Sequence, residues 1–433
     1  MIQHVADVLF MPWVVGVLLL SGLWLTARTG VVQVRRFAEA WRVAFVRRAV
    51  GTTGVLTPFQ AFMTALSASI GTGNIAGVAT AVVSGGPGAL FWIWVYGFVA
   101  MAIKFGEATL GLSFREVQGT TVLSGPMYYL RDGLKSRALA WTFALVAAVA
   151  ALTTTPFTQP NSIALVVNSV FGIPKVAIGM VVAVLTWLVI IGGIKSIGRA
   201  AEKLSPLKVG LYLAGGLIVI LSNTARIPGV IALVFREALS PRSALGFGLF
   251  IAMRYGIARG IYANEAGYGT AAVAYGTALS SQPVQQGLNA IIEVFTVSFV
   301  TSTISALTIL LTGVWRSGIT SSAAVAAGFN TVMPTVGGWI VAFCVFLFGY
   351  TTLIGWAYYG EQFFEYILGR KVTMPYRWIY CLLIPFGAVT KVEVVWAWGD
   401  LMNALQVFPN LIGVLGLSGI VAKIAREKLV ARP

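Results

Sequence analysis

TALSASIGTGNIAGVATAVVSGGPG (64–88) and RYGIARGIYANEAGYGTAAVAYG (254–276) are the two stretches on which the fold turns. Both lie in strongly apolar surroundings, yet both are crowded with glycine and small polar residues. Glycine destabilises a helix interior by about 1 kcal/mol relative to alanine, so neither reads as an ordinary lipid-facing helix. Where a helix breaks in hydrocarbon, the freed backbone groups need partners or a wet cavity. A break at mid-membrane depth therefore marks a site, with half-helix N–H groups facing an anion and free carbonyls facing a cation.

The surroundings justify the membrane setting. Of 433 residues, 58% are hydrophobic and only 10% charged, and the mean hydropathy is +0.86. Soluble domains carry about 25% charged residues, and disordered chains carry more charge and less apolar surface. Both classes are excluded. Spans of about 20 apolar residues are expected at 6–27, 58–83, 88–112, 138–169, 174–194, 206–223, 243–276, 284–313, 336–358, 375–390 and 395–421. The fold class is thus an all-α polytopic membrane protein of about eleven transmembrane helices.

Charge sets the orientation. The net charge of +16 comes from short segments between spans and not from one basic face, which excludes a nucleic-acid partner. With the N-terminus outside, twenty basic residues fall in cytoplasmic segments, against Lys175, Arg226, Arg236, Arg242, Arg316 and Lys391 outside. That bias obeys the positive-inside rule and puts the C-terminus in the cytoplasm, with the chain in the plasma (inner) membrane. The first apolar stretch has no basic segment before it and carries Asp7, so it reads as a retained helix and not as a cleaved signal. Cys344 and Cys381 lie in apolar runs and read as buried thiols. His4, the one histidine, leaves no histidine-based metal site. No phosphate loop, nucleophile elbow or zinc motif is present, so the chain is not read as an enzyme and no cofactor is expected.

The breaks fall in the second and seventh helices. Setting the first helix aside leaves ten, which divide into two fives, each beginning with a broken helix. Five is odd, so the second repeat is inverted, the pattern of secondary transporters that bind cargo between their broken helices. The organisation expected is an N-terminal accessory helix with a basic linker (1–57), a first repeat (58–225), and an inverted second repeat with a basic tail (226–433). Small residues such as Gly73 and Gly77 also suit tight helix packing. Two such helices at matching places, with Asn74 and with Arg259, Asn264 and Glu265 at the breaks, favour a site.

Ionisable residues at membrane depth face a partner or a cavity. Lys104 and Glu107, three apart on one helix, are expected to pair with each other. Glu293 shows no obvious partner and is an ion-linked candidate, as is Glu265. Asp400, Glu361 and Glu365 read as solvated or interfacial. In TTTPFTQPNS (153–162), Gln159 and Asn161 either serve a kink at Pro156 and Pro160 or face a substrate.

TPFQAFMTALSASIGTGNIAGVATAVVSGGPGALFWIW (57–94) resembles the alanine/glycine:cation symporter family, which includes the sodium:alanine symporters within the amino acid–polyamine–cation superfamily. SGPMYYLRDGL (124–134), Gln159-x-Asn161-Ser162, ARGIYANEAGYGTA (258–271) and TLIGWAYYGE (352–361) agree, so the likeness spans nearly the whole chain. The resemblance implies a LeuT-like 5+5 inverted repeat with one extra N-terminal helix, working as a monomer. It implies that Gly71, Thr72, Gly73 and Asn74 receive an amino acid carboxylate, with Ser67 and Ile70 before them and Gly260 on the second broken helix. Gln159 matches a side-chain ligand, and Thr352 and Trp356 match residues that leave room for little more than a methyl group. A coupling Na⁺ would sit among Ile70, Gly73, Thr351 and Thr352, and Arg259, Asn264, Glu265 and Glu293 would gate or link the ion. The chain departs from the family pattern at Ala258, Ala263, Val297 and the histidine-free AAVAYG (271–276).

The function implied is cation-coupled import of small neutral amino acids, alanine and glycine, by alternating access. Two alternatives stand beside it: H⁺ coupling through Glu265 or Glu293, and a membrane sensor or channel on the same fold.

Overall fold

The structure is a computed structural model that describes residues 13–46, 53–118, 121–240 and 248–429. His4, Asp7 and Arg242, with the first residues of the 6–27 and 243–276 spans, lie outside the described residues.

In chain order the first half runs α1 (Val15–Arg28), α2 (Phe37–Phe45), α3 (Pro58–Ser69), α4 (Ala76–Gly85), α5 (Ala89–Ser113), α6 (Arg137–Thr153), α7 (Thr155–Phe171), α8 (Lys175–Ile190) and α9 (Gly193–Leu221). A two-stranded hairpin, β1 (Glu116–Gln118) and β2 (Thr121–Leu123), follows α5. The second half runs α10 (Ile227–Leu239), α11 (Gly248–Asn264), α12 (Thr270–Gly276), α13 (Pro283–Phe295), α14 (Ser302–Leu311), α15 (Ser321–Asn330), α16 (Val336–Leu368), α17 (Thr373–Val389), α18 (Val392–Gly416) and α19 (Ser418–Ile424).

A helix lies under each of the eleven expected spans. Among the described residues, six spans are long and apolar enough to cross a bilayer unaided, α6–α7 and α13–α14 each counting as one, and two more qualify as pairs bent by 61° and 62°. Both glycine-rich stretches are broken. The first splits into α3 and α4 around a 3₁₀ turn at Thr72–Asn74. The second splits into α11 and α12, where Glu265, Gly267 and Gly269 adopt positive φ. Glycine tolerates that backbone freely, whereas Glu265 is a non-glycine residue held there by its surroundings.

The TPFQ sequence explains where α3 begins. Thr57 Oγ1 accepts the Gln60 N–H at 3.1 Å, and Gln60 Oε1 accepts the Thr57 N–H at 3.1 Å. This capping box, with Pro58 in the first turn, contributes about 1 kcal/mol to the helix start. The expected boundaries need correcting at two ends. The 206–223 span begins at Gly193, because the run through Lys195, Arg199 and Lys203 continues the same helix. The 336–358 span extends to Leu368, where Gly369 at φ 76° ends it. The linker within 1–57 also contains α2, and α10 and α15 are short helices that no span-length apolar run marks. Cys344 and Cys381 are free and buried, as expected.

Candidate functional site

The two breaks face each other. A Cβ on Gly73 would meet the Tyr262 ring at 2.7 Å, so α11 approaches the first break as closely as a missing side chain allows. Between them lies a cavity with about 340 Å³ of atom-free space, open solvent at its mouth included. Its wall takes Ser69, Gly71 and Gly73 from the first break and Tyr262, Glu265 and Tyr268 from the second. Gln159 comes from α7, and Thr352 and Trp356 come from α16. The helix crossing 137–171 is interrupted at Thr154, where φ is −107°, and Pro156 and Pro160 follow. That interruption sets Thr154, Thr155 and Gln159 against the cavity.

Gln159 is bound to the first break directly. Its Oε1 accepts the Thr72 main-chain N–H at 3.2 Å and the Thr72 hydroxyl at 3.0 Å. Asn161 instead donates to the carbonyls of Gly387 and Thr390, tying α7 to α17. Of the two open readings of TTTPFTQPNS, Gln159 takes the cavity and Asn161 the architecture. Thr352 Oγ1 donates to Ala68 O at 2.9 Å and lies 2.7 Å from where a Gly71 Cβ would be. Trp356 Nε1 donates to Glu265 Oε1 at 2.6 Å, and Thr270 Oγ1 donates to Glu265 Oε2 at 3.1 Å.

Other expected residues lie behind this wall. Ser67 turns its hydroxyl back to Thr64 O, and Asn74 Nδ2 donates to Ser69 O, so both brace the break. Asn264 shares hydrogen bonds with Ser298. Gly260 packs on Tyr96, where its Cβ would come within 2.9 Å of the ring. Two of the four residues expected to hold a sodium ion, Ile70 and Thr351, give their oxygens to a lysine. Lys208 Nζ, from α9, donates to Ile70 O at 2.6 Å, Thr351 Oγ1 at 2.5 Å and Ser67 O at 3.1 Å. The only sequence signal for this was a lysine left over inside a span.

The charged pairs differ from expectation. Lys104 does not pair with Glu107. It pairs with Glu293, which also receives the hydroxyls of Ser69 and Tyr275, and all four side chains are buried. Glu107 Oε1 instead accepts the N–H groups of Gly267 at 2.9 Å and Gly269 at 3.1 Å, and Asn410 Nδ2 at 2.7 Å. Helical spacing allowed the local pair, but the unwound second break supplied stronger claims on the carboxylate. Glu361 is not solvated either, because it is buried and bound to Arg377 through both oxygens, at 2.7 and 2.9 Å. Glu365 accepts from Gln362 at 3.2 Å and lies 3.4 Å from Arg370. Arg259 lies 3.7 Å from Asp400 and over the Trp396 ring, which packs on Tyr262 at the cavity wall. Sequence reasoning missed Tyr262, Tyr268 and Asn403 as lining residues, since aromatic and amide residues in apolar helices read as packing. Among the described residues no cluster of three or more His, Cys, Asp or Glu could hold a metal ion.

The family described as "Sodium:alanine symporter family" matches residues 1–429. The sodium/alanine symporter AgcS of Methanococcus maripaludis is 38% identical over 420 residues, covering 95% of this chain and 92% of its own. The "Probable sodium/glutamine symporter GlnT" of Bacillus subtilis is 34% identical over 417 residues, covering 96% and 87%. In fold, the chain is similar to the crystal structure of MhsT in complex with L-phenylalanine, with a TM-score of 0.62 at 13% identity, covering 87% of this chain and 99% of that one.

Proposed function

The chain belongs to the sodium:alanine symporter family, and on that premise we propose that it carries alanine and glycine into the cell by alternating access. It is a sodium-coupled amino acid symporter and not an enzyme. The observation that carries the substrate reading is the cavity wall, in which Tyr262, Tyr268, Thr352 and Trp356 crowd the space beside the first break. A zwitterion needs N–H donors at one end and acceptors at the other. The Gln159 amide N–H groups suit the carboxylate, the Thr72 N–H being held by Gln159 Oε1, and main-chain carbonyls at the breaks suit the ammonium. Thr352 and Trp356 stand in this wall at the positions that the resemblance assigns to closing the pocket on a small side chain, which favours alanine or glycine over a glutamine-sized cargo.

Orientation and gating complete the reading. The charge bias supports an external N-terminus, and it puts the Arg259, Trp396 and Asp400 contact on the external side of the cavity. There Arg259 and Tyr262 would act as the outer lid. The repeats at 58–225 and 226–433 would rock about the two breaks, with 1–57 as an accessory segment, in one monomer in the inner membrane.

The test is uptake of labelled alanine into proteoliposomes under an imposed Na⁺ gradient and, separately, an equal H⁺ gradient. Concentration by the Na⁺ gradient alone, competed by glycine and not by glutamine, is the expected result. Accumulation under H⁺ alone would make the coupling ion a proton. Efficient competition by glutamine would overturn the size argument.

A further inference from the structure

Five ionisable side chains lie buried around the breaks: Lys104, Glu107, Lys208, Glu265 and Glu293. Three are acids and two are bases. Lys104 is committed to Glu293. Glu107 takes the main-chain N–H groups of the second break and Asn410 on Oε1, while its buried Oε2 has no hydrogen-bond partner. Lys208 is bound to no carboxylate, only to the neutral oxygens of Ser67, Ile70 and Thr351. Carbonyl and hydroxyl oxygens gathered on one point form a cage of the kind that hard monovalent cations take. Here a tethered ammonium fills it.

Of the two acids without an ion-pair partner, Glu107 and Glu265, only Glu265 lines the cavity. Its oxygens receive the Trp356 indole and the Thr270 hydroxyl, but no amine or guanidinium lies within ion-pair distance of it among the described residues. It lines the cavity, and so does Tyr268, whose buried hydroxyl has no hydrogen-bond partner. A zwitterionic substrate brings no net charge, so it cannot compensate this carboxylate. The five groups together carry one more negative than positive charge, and an uncompensated buried charge is costly at membrane depth. One mobile cation restores the balance.

We propose that the transported cation binds at the Glu265 carboxylate, in the wall of the substrate cavity, and that Lys208 is the fixed cation of the oxygen cage at the first break. The inference rests on the reading of the chain as a cation-coupled symporter. It also gives the coupling a physical route. The cation sits on the carboxylate that holds the Trp356 indole, so its arrival and departure alter a wall of the substrate cavity directly. Lys208 is then a positioning residue that joins α9 and α16 to the end of α3.

The test is direct binding of radioactive ²²Na⁺ to the purified full chain without alanine. Wild type should bind saturably, and Glu265→Gln should bind at least about tenfold more weakly while remaining monodisperse. Lys208→Met should keep the wild-type site or gain a second one in the vacated cage. Wild-type affinity in Glu265→Gln overturns the proposal, whether or not alanine binding is lost with it. So does loss of ²²Na⁺ binding in folded Lys208→Met. A second measurement needs no charge variant. The indole ¹⁵N–¹H resonance that Trp356→Phe removes should move when Na⁺ is added to wild type, and a resonance that stays still overturns the proposal. If wild type neither binds ²²Na⁺ nor concentrates alanine under a Na⁺ gradient, the sodium-symport reading fails for this chain, and the proposal falls with it.

Discussion

Glu107 on α5 caps the unwound segment of the second broken helix, taking the main-chain N–H groups of Gly267 and Gly269 on one carboxylate oxygen. In a membrane interior no water replaces such an acceptor, and each orphaned N–H costs about 1–3 kcal/mol. Glu107→Ala should therefore lower the melting temperature strongly in detergent. Glu107→Gln keeps one acceptor oxygen and should lose clearly less. Equal melting temperatures for the two variants would mean that the break is held by something else.

The buried pair of Lys104 and Glu293 joins α5 to α13 behind the first break. Removing one member of a buried pair leaves the other uncompensated and costs about 3–5 kcal/mol, while removing both costs much less. Lys104→Met alone should be severely destabilised, and Lys104→Met with Glu293→Leu should recover most of the loss. A double-mutant cycle on thermal unfolding measures this coupling. Additive effects would exclude a structural ion pair.

How much of this was legible in the sequence follows from what each contact depends on. Spans are long apolar runs, and glycine-rich breaks announce themselves locally, so the two broken helices at 64–88 and 254–276 are legible in the sequence alone. The GTGN turn and Gln159 were legible as well, because the resemblance covers them residue by residue. Partner choice was not. Glu107 sits one helical turn from Lys104, yet each side chain is claimed from another helix, and helical spacing carries no information about that. The same holds for Lys208, whose three oxygen partners come from segments about 140 positions away in the chain. Tyr262 and Tyr268 look like core aromatics until the two breaks are set face to face.

Gly71 and Gly73 are close approaches rather than flexible joints. A methyl on Gly71 would lie 2.7 Å from Thr352 Oγ1, and one on Gly73 would lie 2.7 Å from the Tyr262 ring. Overpacking of this kind costs about 1–3 kcal/mol. Gly71→Ala should reduce alanine binding sharply, and adding Thr352→Ala, which removes the clashing oxygen, should restore part of it. Gly73→Ala should not respond to Thr352→Ala, because its clash is with α11. Binding isotherms on the four variants decide this.

Gln159 offers the sharpest test of which end of the cavity takes the substrate carboxylate. Its Oε1 accepts from Thr72 at the break, at 3.2 Å from the main-chain nitrogen and 3.0 Å from the hydroxyl. Gln159→Ala removes one neutral acceptor beside a polar cavity, so stability should fall by only about 0.5–1.5 kcal/mol. Alanine binding should weaken by about tenfold. Gln159→Glu keeps the shape and the acceptor but replaces the amide N–H donors with a negative charge where the substrate carboxylate would sit. Like charges at that distance repel strongly in a low-dielectric site. The order of alanine affinity, measured on monodisperse protein, should therefore be wild type, then Gln159→Ala, then Gln159→Glu, with Gln159→Glu also the least stable because it buries an unpaired charge. If Gln159→Glu binds alanine better than Gln159→Ala, the amide faces the ammonium instead, and the carboxylate must lie at the opposite end of the cavity.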